Sequence, residues 1–227
     1  MNNPKSNQIL SELPDREYQR FKGCLEPVLL VYDEILSKPD RQTESCYFPT
    51  QAIVSLVSVM QNGATTEIGL IGKEGMVGTL EFLGNGTSNS RKIVQMGGTA
   101  MRVDVEALQT EYRRGETLSK LLHGYSLMLF NQVSQCAACN NHHSVKQRTA
   151  RWLLMLEDRC DRQTLLMTQK LLSTMLGVRR TGVTEVAKEI QRQGIIEYHR
   201  GKIQILDREA LEQIACECYQ VLKISRQ

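Results

Sequence analysis

The sequence LGVRRTGVTEVAKEIQRQG, residues 176–194, carries two adjacent arginines and two threonines at the front of an apolar, helical repeat. Glycines at 177 and 194 bracket it, and glycine is the residue that most often ends a helix. The three- and four-residue spacing of its apolar side chains predicts a helix with one buried face. The residues predicted to share that face are Val183, Val186, Ala187 and Ile190. The polar residues at the front of the helix are then left exposed.

The flanking segments predict two further parts of the same unit. Thr168 is a favourable N-cap for a short helix over residues 169–176. Two short helices joined by a turn of three or four residues form a helix-turn-helix. Residues 195–207 contain two short apolar runs around His-Arg-Gly-Lys, which predicts a hairpin. Residues 208–223 predict one final amphipathic helix.

In a helix-turn-helix the second helix enters the DNA major groove and presents its first residues to base edges. Arginine can donate two hydrogen bonds to guanine, glutamate accepts from cytosine, and threonine contacts a thymine methyl or a phosphate. The start of the preceding helix and the hairpin, together with His199, are placed for phosphate contacts. The predicted DNA-binding residues are Thr168, Gln169, Lys170, Arg179, Arg180, Thr181, Thr184, Glu185, Arg200 and Lys202. An ordinary solvated helix is the alternative interpretation.

The charge distribution favours a polyanionic partner for the same part of the chain. The net charge is +3. Residues 145–227 carry an excess of five positive charges, whereas residues 1–144 carry an excess of two negative ones. No apolar run is long enough to cross a bilayer and no signal peptide is evident, so we expect a cytoplasmic protein with no membrane partner.

Upstream, residues 117–139 predict a long helix with a heptad seam. The seam would leave a second apolar face that needs a partner, so a second copy of the chain is expected there. The predicted dimerisation residues are Leu118, Leu122, Tyr125, Leu129, Gln132 and Cys136. Coverage of both faces within one chain is the alternative. Ser144 and Gln147 form a capping-box pattern that begins a new helix, so residues 140–144 are the predicted hinge.

Residues 27–108 read as short β-branched runs separated by proline and glycine turns, with a hairpin signal at Asn62-Gly63. Closely spaced strands of this kind predict an antiparallel sandwich or a jelly roll. This region has no histidine, which speaks against a cupin-like metal enzyme, the lowest-ranked alternative. No Ser-His-Asp, P-loop or dinucleotide-binding motif is evident, so no enzymatic activity is predicted, and no metal is predicted.

The seven cysteines are predicted to be free thiols, because an odd number in a cytosolic protein does not suggest a disulfide framework. Cys136 and Cys139 have a Cys-x-x-Cys spacing that is typical of metal or redox sites. Both lie on the predicted apolar seam, where cysteine packs as a small apolar residue. A thiol-based or metal-responsive switch through this pair, testable as a disulfide across the dimer, is therefore the second hypothesis.

This order of parts resembles the Crp/Fnr family of bacterial transcription regulators over nearly the whole chain. The residues that carry the resemblance are EGMVGTLEFLG at 74–84, SVKQRTARWLLML at 144–156, and the segment 167–207, where Arg180 and Val183 match the family pattern. The resemblance implies an α+β fold: an N-terminal antiparallel β jelly roll similar to cyclic-nucleotide-binding domains, a long dimerisation helix and a C-terminal winged helix-turn-helix. It implies domains at 1–115 (sensor), 116–143 (dimerisation helix and hinge) and 144–227 (DNA-binding).

The resemblance also implies a function: a homodimeric, sequence-specific DNA-binding regulator of transcription, whose partners are double-stranded DNA, a second copy and RNA polymerase. Cyclic-nucleotide-binding members carry Gly-Glu and, about ten residues on, Arg-Ser or Arg-Thr. Here Gly78-Thr79 and Ser90-Arg91 stand at those places, so the glutamate is missing and the arginine is displaced by one position. We expect no standard cyclic AMP binding and predict no cofactor. The candidate residues for an altered effector pocket are Thr79, Glu81 and Arg91.

Overall fold

The computed structural model describes residues 3–84, 86–160 and 164–224. The chain's contacts group it into two compact units, Met1–Leu56 with Leu70–Asn131, and Val57–Gly69 with Gln132–Gln227. This grouping differs from the three domains predicted above, which stay a prediction. Their outer limits, residues 1 and 227, lie outside the described residues.

The N-terminal half is an antiparallel two-sheet sandwich preceded by two helices, α1 and α2. The helices are α1 (Gln8–Ser11) and α2 (Asp15–Lys22). The strands are β1 (Glu26–Leu30), β2 (Ile35–Ser37), β3 (Ser45–Pro49), β4 (Ile53–Val59), β5 (Thr65–Ile71), β6 (Ser90–Met96) and β7 (Gly98–Asp104). One sheet has the order β1-β7-β3 and the other β2-β6-β4-β5. This confirms the predicted jelly roll.

Turn chemistry positions the strands as the sequence predicted. Gly63 has φ +80° in the turn that joins β4 to β5, and the amide of Met60 donates to the carbonyl of Ala64 at 2.8 Å. This is the Asn-Gly hairpin. Between β5 and β6 lies a short helix, α3 (Thr79–Leu83), and β7 leads into α4 (Val105–Tyr112).

The long helix α5 (Thr117–His142) begins at the predicted residue and continues three residues past Cys139, into the predicted hinge at 140–144. Glu17 of α2 caps its first turn. One carboxylate oxygen accepts from the amide and hydroxyl of Thr117, at 3.3 and 2.6 Å, and the other accepts from the amide of Leu118 at 3.3 Å. A carboxylate at this place offsets the positive end of the helix dipole.

The assignment of the heptad seam to a dimer interface is wrong. Its six residues are at most 6% exposed within a single chain, because the chain covers them itself. The ring of Tyr125, for example, packs against Gly75 so closely that a Cβ on this glycine would lie 2.0 Å from a ring carbon. The apolar residues that stay exposed on α5 lie beside the seam and are Leu127, Met128 and Phe130.

The C-terminal part begins after a short break in the helix. Ser144 accepts from the amide of Gln147 and Gln147 accepts from the amide of Ser144, so the predicted capping box starts α6 (Val145–Arg159). The elements that follow are β8 (Thr164–Leu166), α7 (Gln169–Leu176), α8 (Arg180–Arg192), β9 (Ile196–His199), β10 (Lys202–Ile205), α9 (Arg208–Ile214) and α10 (Cys218–Leu222). None of the helices in the described part of the chain is long and apolar enough to span a membrane.

Two features differ from the sequence prediction. The hairpin of β9 and β10 gains a third strand, β8, giving the order β8-β10-β9. The single helix predicted over residues 208–223 is wrong, because Ala215 adopts an extended conformation that separates α9 from α10.

The sole tryptophan, Trp152 of α6, is 2% exposed, and its indole N–H donates to Oε1 of Glu67 at 2.5 Å.

Candidate nucleic-acid interface

The two helices of the helix-turn-helix begin and end at the predicted residues. The hydroxyl of Thr168 accepts from the amide of Leu171 at 3.1 Å, which starts α7. Gly177 ends α7 with φ +63°, a conformation that side chains with a Cβ rarely adopt. A Cβ on Gly177 would also lie 2.6 Å from Oγ1 of Thr66. A turn of three residues therefore separates α7 from α8.

Helix α8 packs with one face and leaves the other open. Its fully buried residues are Val183, Ala187 and Ile190, as predicted, while Val186 is half-buried. Arg179 is the N-cap residue and Arg180 the first residue of the helix, and both are exposed. The helix therefore presents its positively charged beginning to solvent.

The start of α7, the start of α8 and the hairpin together form one concave surface. It encloses a volume of about 390 Å³. Its lining residues are Thr168, Gln169, Lys170, Arg180, Tyr198, Arg200 and Gly201. Five of these were predicted as DNA-binding residues from the sequence. The surface holds three cationic side chains and no acidic one, so its chemistry suits an anion.

Hydrogen bonds fix the orientation of one polar side chain at this surface. The hydroxyl of Thr184 lies 2.8 Å from Oε1 of Gln169 and 2.9 Å from the carbonyl of Arg180, and it can donate to only one of them at a time. When the hydroxyl donates to Gln169, the amide oxygen of that residue is held. The side-chain amide nitrogen of Gln169 then stays available as a hydrogen-bond donor.

The other predicted contacts are accessible as well. Each of the ten predicted DNA-binding residues is exposed or half-buried. Arg200 and Gly201 both have positive φ, +48° and +76°, in the tight turn between β9 and β10. Such a turn holds the tip of the hairpin in one conformation. Tyr198 also lines the concave surface and was missed from the sequence.

The candidate effector residues are not brought together. Thr79 and Glu81 are buried in α3, and the hydroxyl of Thr79 donates to the carbonyl of Met76 at 2.7 Å. Glu81 forms an ion pair with Lys92, both side chains being 2% exposed. Arg91 is half-buried and precedes Lys92 in β6, where successive side chains point to opposite faces. A pocket built from Glu81 and Arg91 is therefore wrong, because Lys92 takes the place that Arg91 was predicted to have.

Cys136 and Cys139 are 6% and 0% exposed, so both pack as buried side chains, as their place on the apolar seam predicted. The disulfide between two copies stays a prediction. Sγ of Cys136 accepts from Nη1 of Arg151 at 3.2 Å, whereas Cys139 lies against Cys216, with 3.5 Å between the sulfurs. The Cys-x-Cys spacing of Cys216 and Cys218 was the signal in the sequence that was not used.

Comparison with known proteins agrees with this geometry. Residues 147–214 match the family model of the Crp-like helix-turn-helix domain. No curated protein matches the sequence. Among solved structures, FixK2 from Bradyrhizobium japonicum is 15% identical with a TM-score of 0.71, covering 85% of this chain and 98% of that chain.

Two further structures show the same fold. A putative transcriptional regulator of the Crp/Fnr family from Eubacterium rectale is 15% identical with a TM-score of 0.72, covering 92% of this chain and 98% of its own. The c-di-GMP-responsive global regulator CLP from Xanthomonas campestris is 15% identical with a TM-score of 0.68, and the match covers 85% of this chain and 99% of that chain.

The fold and the basic surface define a class: an antiparallel jelly roll joined through a long helix to a winged helix-turn-helix. The match to the Crp-like helix-turn-helix model and the three similar structures identify the class more closely. The chain has a Crp-like helix-turn-helix domain and the fold of Crp/Fnr regulators, which confirms the resemblance to the Crp/Fnr family.

Proposed function

We propose that this chain is a homodimeric, sequence-specific DNA-binding regulator of transcription. The observation that carries the proposal is the concave surface on which Lys170, Arg180 and Arg200 meet. These cations come from α7, from α8 and from the turn between β9 and β10. If α8 were an ordinary solvated helix, there would be no reason for the three to meet on one surface. Contact with RNA polymerase stays a prediction.

The residues on this surface divide by their expected roles. Arg180 is exposed at the first position of α8, where an arginine can donate two hydrogen bonds to guanine. Thr168 to Lys170 and the hairpin residues Arg200 and Lys202 are proposed to hold phosphates, which position the protein without reading sequence. Glu185, five residues after Arg180, is exposed and can accept from cytosine.

The proposed dimer surface is the exposed apolar part of α5. Leu127 is 61% exposed and Phe130 is 64% exposed, and these two residues lie about one turn apart on α5. Exposed apolar side chains clustered on one helix mark an interaction surface. A second copy is the proposed occupant, because a two-fold dimer presents two recognition helices to DNA half-sites about 34 Å apart.

The jelly roll is proposed to control DNA affinity, through an equilibrium between two states of the dimer. The buried pair of Glu81 and Lys92 supports an effector other than cyclic AMP bound in the standard way. Burial lowers the pKa of Lys92 to about 8. Because this pair occupies the cassette region, a ligand bound there would have to displace or rearrange it.

Selection of bound sequences from random double-stranded DNA tests the DNA-binding role. We expect a near-palindromic site with half-sites about one helical turn apart. The variant with both Arg179→Ala and Arg180→Ala should lose the sequence preference. If the same sequences are enriched by this variant, the assignment of α8 as the recognition helix is wrong.

Sedimentation velocity tests the dimer. Phe130→Glu should shift the chain from dimer to monomer, because it places a charge in the apolar patch. Val221→Glu is the matched control, since Val221 is 63% exposed on another helix. Monomers of the unmodified chain at micromolar concentration, or equal effects of the two substitutions, would reject this surface.

A further inference from the structure

Four metal-ligating side chains meet at the end of the long helix. Cys139 and His143 lie one turn apart at the end of α5 and just beyond it, and Cys216 and Cys218 lie on either side of the start of α10. Their sulfur and ring nitrogen atoms all lie within 4.8 Å of one another. The three cysteines are buried and the histidine is half-buried. No part of the proposed DNA contact uses these residues.

Two of the distances within this cluster match those around a single tetrahedral ion. Two thiolates on one Zn²⁺, each at about 2.3 Å, lie about 3.8 Å apart, and a thiolate and an imidazole nitrogen lie about 3.6 Å apart. The observed separations are 3.5 Å between the sulfurs of Cys139 and Cys216, and 3.6 Å between Sγ of Cys218 and Nδ1 of His143. A four-iron cluster would instead place each thiolate on a different iron and hold the sulfurs further apart.

The surrounding residues support the ligands as they do in metal sites. Nε2 of His143 lies 3.1 Å from a carboxylate oxygen of Glu217, and a carboxylate can only accept, so this hydrogen bond requires the proton on Nε2 and directs Nδ1 towards the cysteines. A carboxylate behind a ligating histidine is a common arrangement around zinc. The amide nitrogen of Gln135 donates to Sγ of Cys218 at 3.1 Å.

The local charge also suits an anionic metal complex. Three thiolates and one Zn²⁺ carry a net charge of −1. Arg148 and Arg151 of α6 are 7% and 3% exposed, and the Nε of each lacks a hydrogen-bond partner among the residues that the structure describes. Buried guanidinium groups need a counter-charge. The thiolates of the cluster supply one.

Burial opposes ionisation of these thiols when no metal is bound. It raises the pKa of Cys139 to about 12 and raises that of Cys216 as well. Zn²⁺ binds cysteine as the thiolate and histidine as the neutral imidazole, so binding of the ion is coupled to the release of protons.

We propose that Cys139, His143, Cys216 and Cys218 form a structural Zn²⁺ site of the Cys₃His type. The four ligands close the coordination sphere, which is the mark of a structural zinc site rather than a catalytic one. The ion joins the end of α5 to the start of α10, and so fixes the C-terminal segment at the hinge before α6. This inference stands on the cluster alone and does not depend on DNA binding.

Metal analysis of the full chain, purified under reducing conditions from zinc-supplemented cells, tests the proposal. We expect about one zinc per chain in the unmodified protein, and less than a tenth of that in Cys216→Ser and in Cys218→Ser. Cys136→Ser is the matched control and should keep its zinc, because Cys136 lies one turn from Cys139 on the same helix but outside the cluster.

Cobalt substitution gives a second readout that does not depend on variants. Co²⁺ added to the metal-free unmodified chain should produce the intense visible bands of tetrahedral thiolate coordination, and Zn²⁺ should remove them. Any of three results would overturn the site: no zinc and no cobalt bands, zinc that persists in both ligand variants, or iron with inorganic sulfide in place of zinc. A disulfide between Cys139 and Cys216 in the reduced preparation would do the same.

Discussion

Replacing Arg180 by alanine removes the side chain that is best placed to read a base. Arg180 is the first residue of α8, is exposed, and lines the concave surface together with Lys170 and Arg200. The substitution removes no buried contact, so the fold should be unaffected. The expected effect therefore falls on DNA recognition.

The magnitude follows from the two-fold symmetry of the proposed dimer. One arginine that donates two hydrogen bonds to guanine discriminates against the wrong base by about 1–3 kcal/mol. Two copies give about 2–6 kcal/mol, which is a loss of roughly 30-fold to 10⁴-fold in the preference for the operator over unrelated DNA. Lys170→Ala removes two phosphate contacts instead, so the slope of log affinity against log salt should fall by about 1.8 while the preference is kept.

Fluorescence anisotropy with operator and scrambled duplexes, each at several salt concentrations, measures both quantities. Arg192→Ala is the charge-matched control, because Arg192 lies at the far end of α8, about 18 Å along the helix axis. It should change neither the preference nor the slope. If Arg180→Ala weakens binding to both duplexes equally, Arg180 contacts a phosphate and the assignment of base reading to it fails.

Three further substitutions test individual contacts within the fold. Gly177→Ala should destabilise the chain by about 2–3 kcal/mol in urea unfolding, because the positive φ costs about 1–2 kcal/mol and the new Cβ meets Thr66. In a Thr66→Ala background the cost should fall towards the backbone part alone. Glu17→Gln should lower stability at pH 7 by less than about 1 kcal/mol. Burial alone would raise the pKa of Glu17, but hydrogen bonds from Thr117 and Leu118 lower it, so the stabilisation is present above pH 4.5 and is lost as the pH falls further. Asp158→Ala should cost about 3 kcal/mol in the same urea assay, because this buried carboxylate accepts from Arg208 at 2.6 Å and from the hydroxyl of Tyr219 at 2.9 Å.

Each of these has a control in the same element or close to it. Gly182→Ala lies inside α8 with open space around it and should stabilise the chain by up to about 1 kcal/mol, the opposite sign from Gly177→Ala. Glu12→Gln, at an exposed acid near α2, should change stability at pH 7 by less than about 0.5 kcal/mol. Glu209→Ala, exposed on α9, should change stability by less than about 0.5 kcal/mol. Equal effects of a test substitution and its control would contradict the proposed contact.

Local signals in the sequence predicted the parts of the fold that depend on local chemistry. The N-cap at Thr168, the left-handed Gly177, the capping box at Ser144 and the Asn-Gly hairpin each rest on hydrogen bonds within a few residues. The surface residues of α8 followed from its helical period. These features are set by neighbours in the chain, so one sequence was enough to find them.

The errors concern contacts between distant residues. The heptad period of α5 indicated two apolar faces correctly, but the spacing does not tell which face the chain covers itself, and the seam proved to be the covered one. The prediction placed Arg91 beside Glu81, but the observed partner is Lys92, because the register of β6 decides which of the two residues faces Glu81. The meeting of Cys139 with Cys216 joins positions that are 77 residues apart, and no periodic pattern links them.

Because Trp152 is the only tryptophan in the sequence, its fluorescence reports on a single position. Because the indole is the chain's only one and is buried against Glu67, the emission spectrum of the unlabelled protein comes from one known position. Separation of α6 from β5 would admit water to the ring and shift the emission to longer wavelength. The tryptophan emission can therefore report on this contact during titrations with metal, DNA or small molecules. No dye is needed, so the thiols stay unmodified.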